Sequence, residues 1–208
     1  GFSQPGQTEF LADACGIAHG DAVMMLAGPN LRTVPLTVHV ALAQVPALIT
    51  RALIERKARI VAQALRRDFA LSPARIAITG LNPHAGEDGR MGREEIETIA
   101  PAIAALAAEG LAVTGPHPAD ALFAAHERDG FDVALCMYHD QALVPIKTLD
   151  FDAGVNVTLG LPIIRTSPDH GTAFSIAGQG VASAGATIAA IRMAGECAAR
   201  RLLPEISA

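Results

Sequence analysis

The chain has 208 residues, half of them apolar, with a mean hydropathy of +0.33 and a formal net charge of −5. That is enough apolar material to bury a substantial core in one large domain or one and a half smaller ones, and an acidic chain without a basic stripe is a poor match for nucleic acid. No apolar run reaches the ~18 residues of a membrane span and the start lacks a signal-peptide pattern, so a cytoplasmic protein with no membrane partner is expected.

Thr8 opens a Thr-x-x-Leu pattern that leads into an amphipathic helix to about residue 18. Residues 21–27 read as a strand, and 31–40 as a second one after an Asn/Pro turn. Thr50 is a good N-cap for a long helix whose Leu53, Ile54, Ile60, Val61, Ala64 and Leu65 recur at helical spacing and bury one side. Residues 75–79 form a strand that empties into the loop Asn82-Pro83-His84-Ala85-Gly86-Glu87-Asp88-Gly89-Arg90-Met91-Gly92, and a helix follows to about residue 109, stopped by Gly110. A short strand is expected at 111–114, then a turn at Gly115-Pro116-His117-Pro118. Strands at 132–137 and 155–159 and an Ala-rich helix from about 183 to 203 complete the chain. Strands alternating with helices predict an α/β fold with a largely parallel or mixed sheet.

Open α/β sheets hold ligands beyond the carboxyl ends of their strands, which draws attention to polar residues there. His39 follows the Leu36-Thr37-Val38 run, His84 sits in the long loop, and His139 follows the strand at 132–137. Three neutral imidazoles at strand ends suit one divalent metal with open coordination positions; spacing alone equally allows three unrelated polar histidines. Lys147, Asn156 and Arg165 form a second set, fit for an anionic substrate, with the Arg165 fork matched to carboxylate or phosphate. Asn156 inside an apolar strand also has a purely structural reading, and Lys147 that of a surface lysine. Gly6-Gln7-Thr8 precedes a helix and offers amides and a hydroxyl to a phosphate, although capping explains Thr8 as well. Cys15, Cys136 and Cys197 are odd in number and form no CxxC pair, so reduced cysteines are expected, neither disulfide-bonded nor holding zinc.

Read together, Pro5-Gly6-Gln7-Thr8-Glu9-Phe10, Gly80-Leu81-Asn82-Pro83-His84-Ala85-Gly86-Glu87, Pro118-Ala119-Asp120, Met137-Tyr138-His139-Asp140-Gln141, Asn156-Val157-Thr158-Leu159-Gly160-Leu161-Pro162, Ile164-Arg165-Thr166-Ser167 and Asp169-His170-Gly171-Thr172-Ala173 closely resemble the 4-hydroxythreonine-4-phosphate dehydrogenase (PdxA) family of pyridoxine biosynthesis. The likeness spans essentially the whole chain, in order, and lies in polar loop segments that shared core composition does not explain. It corresponds to the C-terminal two-thirds of a family member.

The resemblance implies an isocitrate/isopropylmalate dehydrogenase-like α/β/α fold. Residues 1–165 would form the metal- and substrate-binding and dimerisation lobe, and 166–208 the C-terminal segment of a cofactor lobe. It implies a homodimer with the active site at the interface, one divalent metal (Zn, Mg or Co) per subunit on His39, His84 and His139, one of the three coming from the partner subunit, and NAD or NADP as oxidant. Substrate contacts fall on Gln7, Thr8, Lys147, Asn156 and Arg165, proton handling on Lys147, and supporting roles on Asp120 and Asp140. The adenosine-side loop falls on Asp169, His170, Gly171, Thr172, Ala173 and Gly178. The implied reaction oxidises 4-phosphohydroxy-L-threonine to a β-keto acid, which decarboxylates to 3-amino-2-oxopropyl phosphate in pyridoxal 5'-phosphate synthesis. Gln7 stands where the best-known members carry a histidine. That allows as an alternative a related dehydrogenase for a phosphorylated sugar acid or an aromatic cis-dihydrodiol, and the match to only two-thirds of a family member allows another, an inactive metal-binding dimerisation fragment.

Overall fold

The computed structural model describes residue 4 and residues 6–202; Pro5 of the first motif and residues 203–208, where the last helix was expected to end, lie outside the described residues. Among the described residues seven strands build one sheet: β1 (Val23–Ala27), β2 (Arg32–Pro35), β3 (Ile76–Thr79), β4 (Val113–His117), β5 (Val133–Cys136), β6 (Val155–Leu159) and β7 (Arg165–Pro168), in the order β4-β3-β5-β2-β1-β6-β7. Strands β4, β3, β5 and β2 run parallel, while β1 is antiparallel to both β2 and β6, and β7 to β6. The expected mixed α/β architecture is what the chain adopts.

The helices are α1 (Gln7–Ala14), α2 (Val45–Leu48), α3 (Arg51–Phe69), α4 (Ala100–Ala108), α5 (Ala119–Leu122), α6 (His139–Asp150) and α7 (Gly185–Leu202). Strand alternation sorts the central side chains into two layers. Ile76, Ile78, Val133, Leu135 and Met137 face the α3 and α4 side, whereas Ala77, Ala134 and Cys136 face α6 with its Ala142, Leu143 and Ile146. Each large aliphatic side chain buried this way contributes about 1.5–3 kcal/mol. The smaller residues on the second face let α6 lie close against the sheet, which matters because α6 carries site residues at both ends. Thr50 caps α3 as expected, its hydroxyl accepting from the Leu53 amide at 3.2 Å.

Four local expectations are corrected. α1 stops at Ala14 and its N-cap is Gly6, so Thr8 lies inside the helix and does not cap it. β2 ends at Pro35, which leaves His39 in a bend with φ 51° rather than at a strand end. The expected turn at Gly115-Pro116-His117 instead belongs to β4, an edge strand, where proline costs no ladder bond on the open side. The turn ahead of α4 is π-wound over Glu95–Ile99. β7, which was not expected, is the opposite edge and carries Arg165.

Candidate active site

Hydrogen bonds between neighbouring strand ends bring the first two histidines together. The Leu36 amide donates to the Cys136 carbonyl at 2.7 Å, and the Thr37 hydroxyl donates to the Met137 carbonyl at 2.9 Å. From behind, Lys57 on α3 donates to the carbonyls of Pro35 and Leu36. Burial pushes that lysine down to about 8. The His39 and His139 rings come to 5.8 Å between centroids, beside a hollow of about 290 Å³ lined also by Thr37, Tyr138 and Asp140. His139 Nδ1 lies 2.7 Å from Asp140 Oδ1, which leaves Nε2 as the ring's free nitrogen. Two facing imidazoles, one oriented by a carboxylate, are the donor chemistry of a zinc-type divalent site.

His84 is presented differently. His84, Ala85, Gly86, Glu87 and Asp88 all take left-handed backbone angles, which for an L-residue cost about 1–2 kcal/mol each outside glycine. Only the glycine is free of that cost. At Gly86, with φ 80°, a Cβ would also stand 2.6 Å from Glu95 Oε2. The loop is therefore closed down on a buried carboxylate: Glu95 Oε1 accepts from the Leu81 and Asn82 amides at 2.8 Å each, and Oε2 from Asn82 Nδ2 at 3.0 Å. His84 itself is exposed, its Nδ1 3.7 Å from Glu87 Oε1. Among the described residues no three His, Cys, Asp or Glu side chains gather closely enough to hold a metal. A single chain thus brings together two of the three expected ligands, not all three.

The anion-binding set does converge. Gln7, Lys147, Asn156 and Arg165 line one open cleft of about 420 Å³, with Ser167, Asp169, His170 and Gly171. Arg165 donates to Gln7 Oε1 at 3.1 Å and to the Thr158 hydroxyl at 3.3 Å; burial lowers its pKa. Lys147 Nζ is 3.1 Å from Asp169 Oδ2. Asn156 Oδ1 is buried and without a hydrogen-bond partner among the described residues, an orphaned acceptor on a residue that lines the cleft. Such atoms are rare in native interiors unless a ligand or water meets them. Thr8 is half-buried on α1 and is not among the lining residues.

Asp169, His170 and Gly171, expected on the cofactor side, share this cleft, whereas Thr172, Ala173 and Gly178 are exposed beyond it. Asp120 is exposed on α5, which packs beside the His84 loop, and it does not line the hollow beside His39 and His139. Sequence reasoning missed Glu95 and Gln141. Gln141 donates to the Gly80 carbonyl at 2.8 Å and accepts from the Met137 amide at 2.7 Å and the Thr79 hydroxyl at 2.8 Å, tying the root of the His84 loop to that of His139. Its place directly after Tyr138-His139-Asp140 was the one available signal.

The described residues contain no helix long and apolar enough to cross a membrane. Residues 1–194 match the family model described as pyridoxal phosphate biosynthetic protein PdxA. The chain is 68% identical over 201 residues to a 4-hydroxythreonine-4-phosphate dehydrogenase of Erythrobacter litoralis (strain HTCC2594), covering 97% of this chain and 60% of that protein. Its fold is similar to the crystal structure of 4-hydroxythreonine-4-phosphate dehydrogenase from Klebsiella pneumoniae, with TM-score 0.85, 42% identity, and coverage of 94% of this chain and 58% of that one. It is also similar to a terephthalate 1,2-cis-dihydrodiol dehydrogenase from Burkholderia xenovorans LB400, with TM-score 0.75, 33% identity, and coverage of 91% and 61%. The chain spans about 60% of the length of the curated relatives it matches.

Proposed function

The chain belongs to the pyridoxal phosphate biosynthetic protein PdxA family, and on that premise we propose that it forms the metal- and substrate-binding part of an NAD-dependent 4-hydroxythreonine-4-phosphate dehydrogenase. The observation that carries the reading is the convergence of Gln7, Lys147, Asn156 and Arg165, with an orphaned acceptor among them, on one open cleft. That is a site for a small anion carrying both donors and acceptors.

In this reading Arg165 and Gln7 hold the phosphate or carboxylate of the substrate, with Thr8 close by on α1. Asn156 Oδ1 accepts from a substrate hydroxyl or ammonium and fixes its orientation. Lys147 faces the reacting hydroxyl, taking its proton or donating to the oxygen as negative charge develops there. His39 and His139, with the partner subunit's His84, would hold one divalent metal. Bound, the metal supplies electrostatic stabilisation of the developing oxyanion, and the nicotinamide supplies the hydride acceptor. Asp140 keeps the His139 ring in the tautomer that leaves Nε2 available. Asp120 is assigned a supporting role in proton transfer, and Asp169 to Ala173 with Gly178 the adenosine side. A two-subunit site fits the separation of His84 from the other two histidines within one chain.

The test is NAD reduction by the protein, alone and with added divalent metal. 4-Phosphohydroxy-L-threonine is compared with phosphorylated sugar acids and aromatic cis-dihydrodiols. The expected result is a kcat/KM for the first substrate at least ~100-fold above the others, since the sugar acids leave the groups that meet its ammonium unpaired and the dihydrodiols leave those that meet its phosphate unpaired as well. Preference for a dihydrodiol would overturn the substrate assignment.

A further inference from the structure

Glu95 is a carboxylate with only 3% of its surface exposed, and its three hydrogen bonds come from the neutral donors of Leu81 and Asn82. Burying a charge against neutral donors is an expensive arrangement unless it holds something in place. What it holds is the root of the loop that carries His84. The left-handed run begins two residues beyond Asn82, and the loop returns so closely that Gly86 has no room for a Cβ against the same carboxylate. The π-wound turn at Glu95–Ile99 is the local irregularity that accompanies this placement, and π-turns are frequent at functional sites. Its neighbour Glu94 takes the other Asn82 Nδ2 contact at 2.7 Å, and Gln141 pins Gly80 from the opposite side.

We propose that Glu95 is a positioning residue for metal binding: it holds the His84 loop in its left-handed form and thereby sets where the imidazole reaches. The proposal rests on the reading of His84 as a metal ligand. Two accepting oxygens are what make the arrangement work. Asn82 offers only donors to Glu95, so both carboxylate oxygens must accept. A glutamine would keep one acceptor for the two amides but would turn its own NH₂ against the Asn82 NH₂. Asn82 cannot turn its amide over to compensate, because its carbonyl would then meet the Glu94 carboxylate.

The experiment uses the full-length protein with Zn²⁺ or Co²⁺ alone as the probe. Metal affinity is read by calorimetry, and backbone hydrogen exchange is followed across residues 82–92, for wild type, Glu95→Gln and His84→Ala. Glu95→Gln is expected to weaken metal binding roughly tenfold or more and to speed exchange across 82–92, leaving β1 and β6 protected as in wild type. If His84→Ala weakens binding while Glu95→Gln binds metal like wild type, the positioning role is overturned, even should the variant melt earlier. If His84→Ala binds metal normally, the ligand assignment fails, and the proposal fails with it. Should Glu95→Gln not fold, Asn82→Ala, which removes one of the three bonds and keeps both amides, is expected to shift affinity and exchange in the same direction by less. Wild-type behaviour of that variant would then count against the proposal.

Discussion

Arg165 meets both requirements of an anion site at once, a fixed fork and a partly desolvated charge. Its donors already engage Gln7 and Thr158, so the guanidinium is oriented before any ligand arrives. Hydrogen bonds to charged groups contribute about 1.5–3 kcal/mol, so Arg165→Ala is expected to raise KM roughly 10- to 100-fold with a smaller change in kcat. Arg165→Lys is expected to recover little of that, because an ammonium is a point charge without the fork. Steady-state kinetics at fixed NAD measure both. Arg165, Lys147 and the histidines were legible in the sequence as candidates, because each is a polar or charged residue close to an apolar run. Glu95 was not legible. A glutamate near the start of a helix reads as solvated, and only the path of the preceding loop puts it in the interior.

At the scale of elements, the docking of α7 turns on Asp68 at the end of α3. Its side chain is 7% exposed and meets Arg67 and Arg201, the latter at 2.6 and 3.0 Å. Burial alone would raise its pKa, but the guanidinium hydrogen bonds from Arg201 and Arg67 outweigh that and hold the carboxyl below its ordinary value of 3.8. A carboxylate depressed in the folded state contributes stability above its unfolded pKa and loses it as pH falls through the lowered folded value. Asp68→Ala is therefore expected to cost about 3–5 kcal/mol at neutral pH, since it strands two guanidinium groups, one of them largely buried. The difference from wild type should shrink below about pH 4. Urea denaturation at pH 7 and pH 3 checks both. Elements with a clear period, such as α3 with its apolar stripe and Thr50 cap, were readable in advance. The edge strands were readable only in part: a strand was expected at 111–114, but β4 runs on through Gly115 and Pro116 to His117, and β7, Arg-Thr-Ser-Pro, was not expected. An edge needs neither an apolar period nor a full set of amides, so these stretches do not announce themselves.

For the whole molecule, the central fact is that one chain gathers Gln7, Lys147, Asn156 and Arg165 on one cleft but, among the described residues, only two of the three candidate metal-binding histidines. With His84 apart from His139 in each chain, a site completed across two subunits can be tested by mixing inactive partners. His84→Ala and His139→Ala proteins, each inactive alone, are expected to recover about one quarter of wild-type turnover when subunits are exchanged at equal amounts, because a mixed two-fold dimer holds one intact site and one doubly damaged one. Activity that stays at zero after verified exchange would mean that each site draws on one chain only. The sequence supplied the three histidines but not their division, because spacing along a chain carries no information about which copy a side chain belongs to. The antiparallel seat of β1 has a further consequence, one of timing. Its partner β2 follows within a few residues and can close on it quickly, whereas β6 arrives only after the parallel half and α6 have been laid down. Until then β1 presents an open, apolar edge, so a young or refolding chain is most prone to stick to its neighbours at the strand that ends up in the sheet's interior.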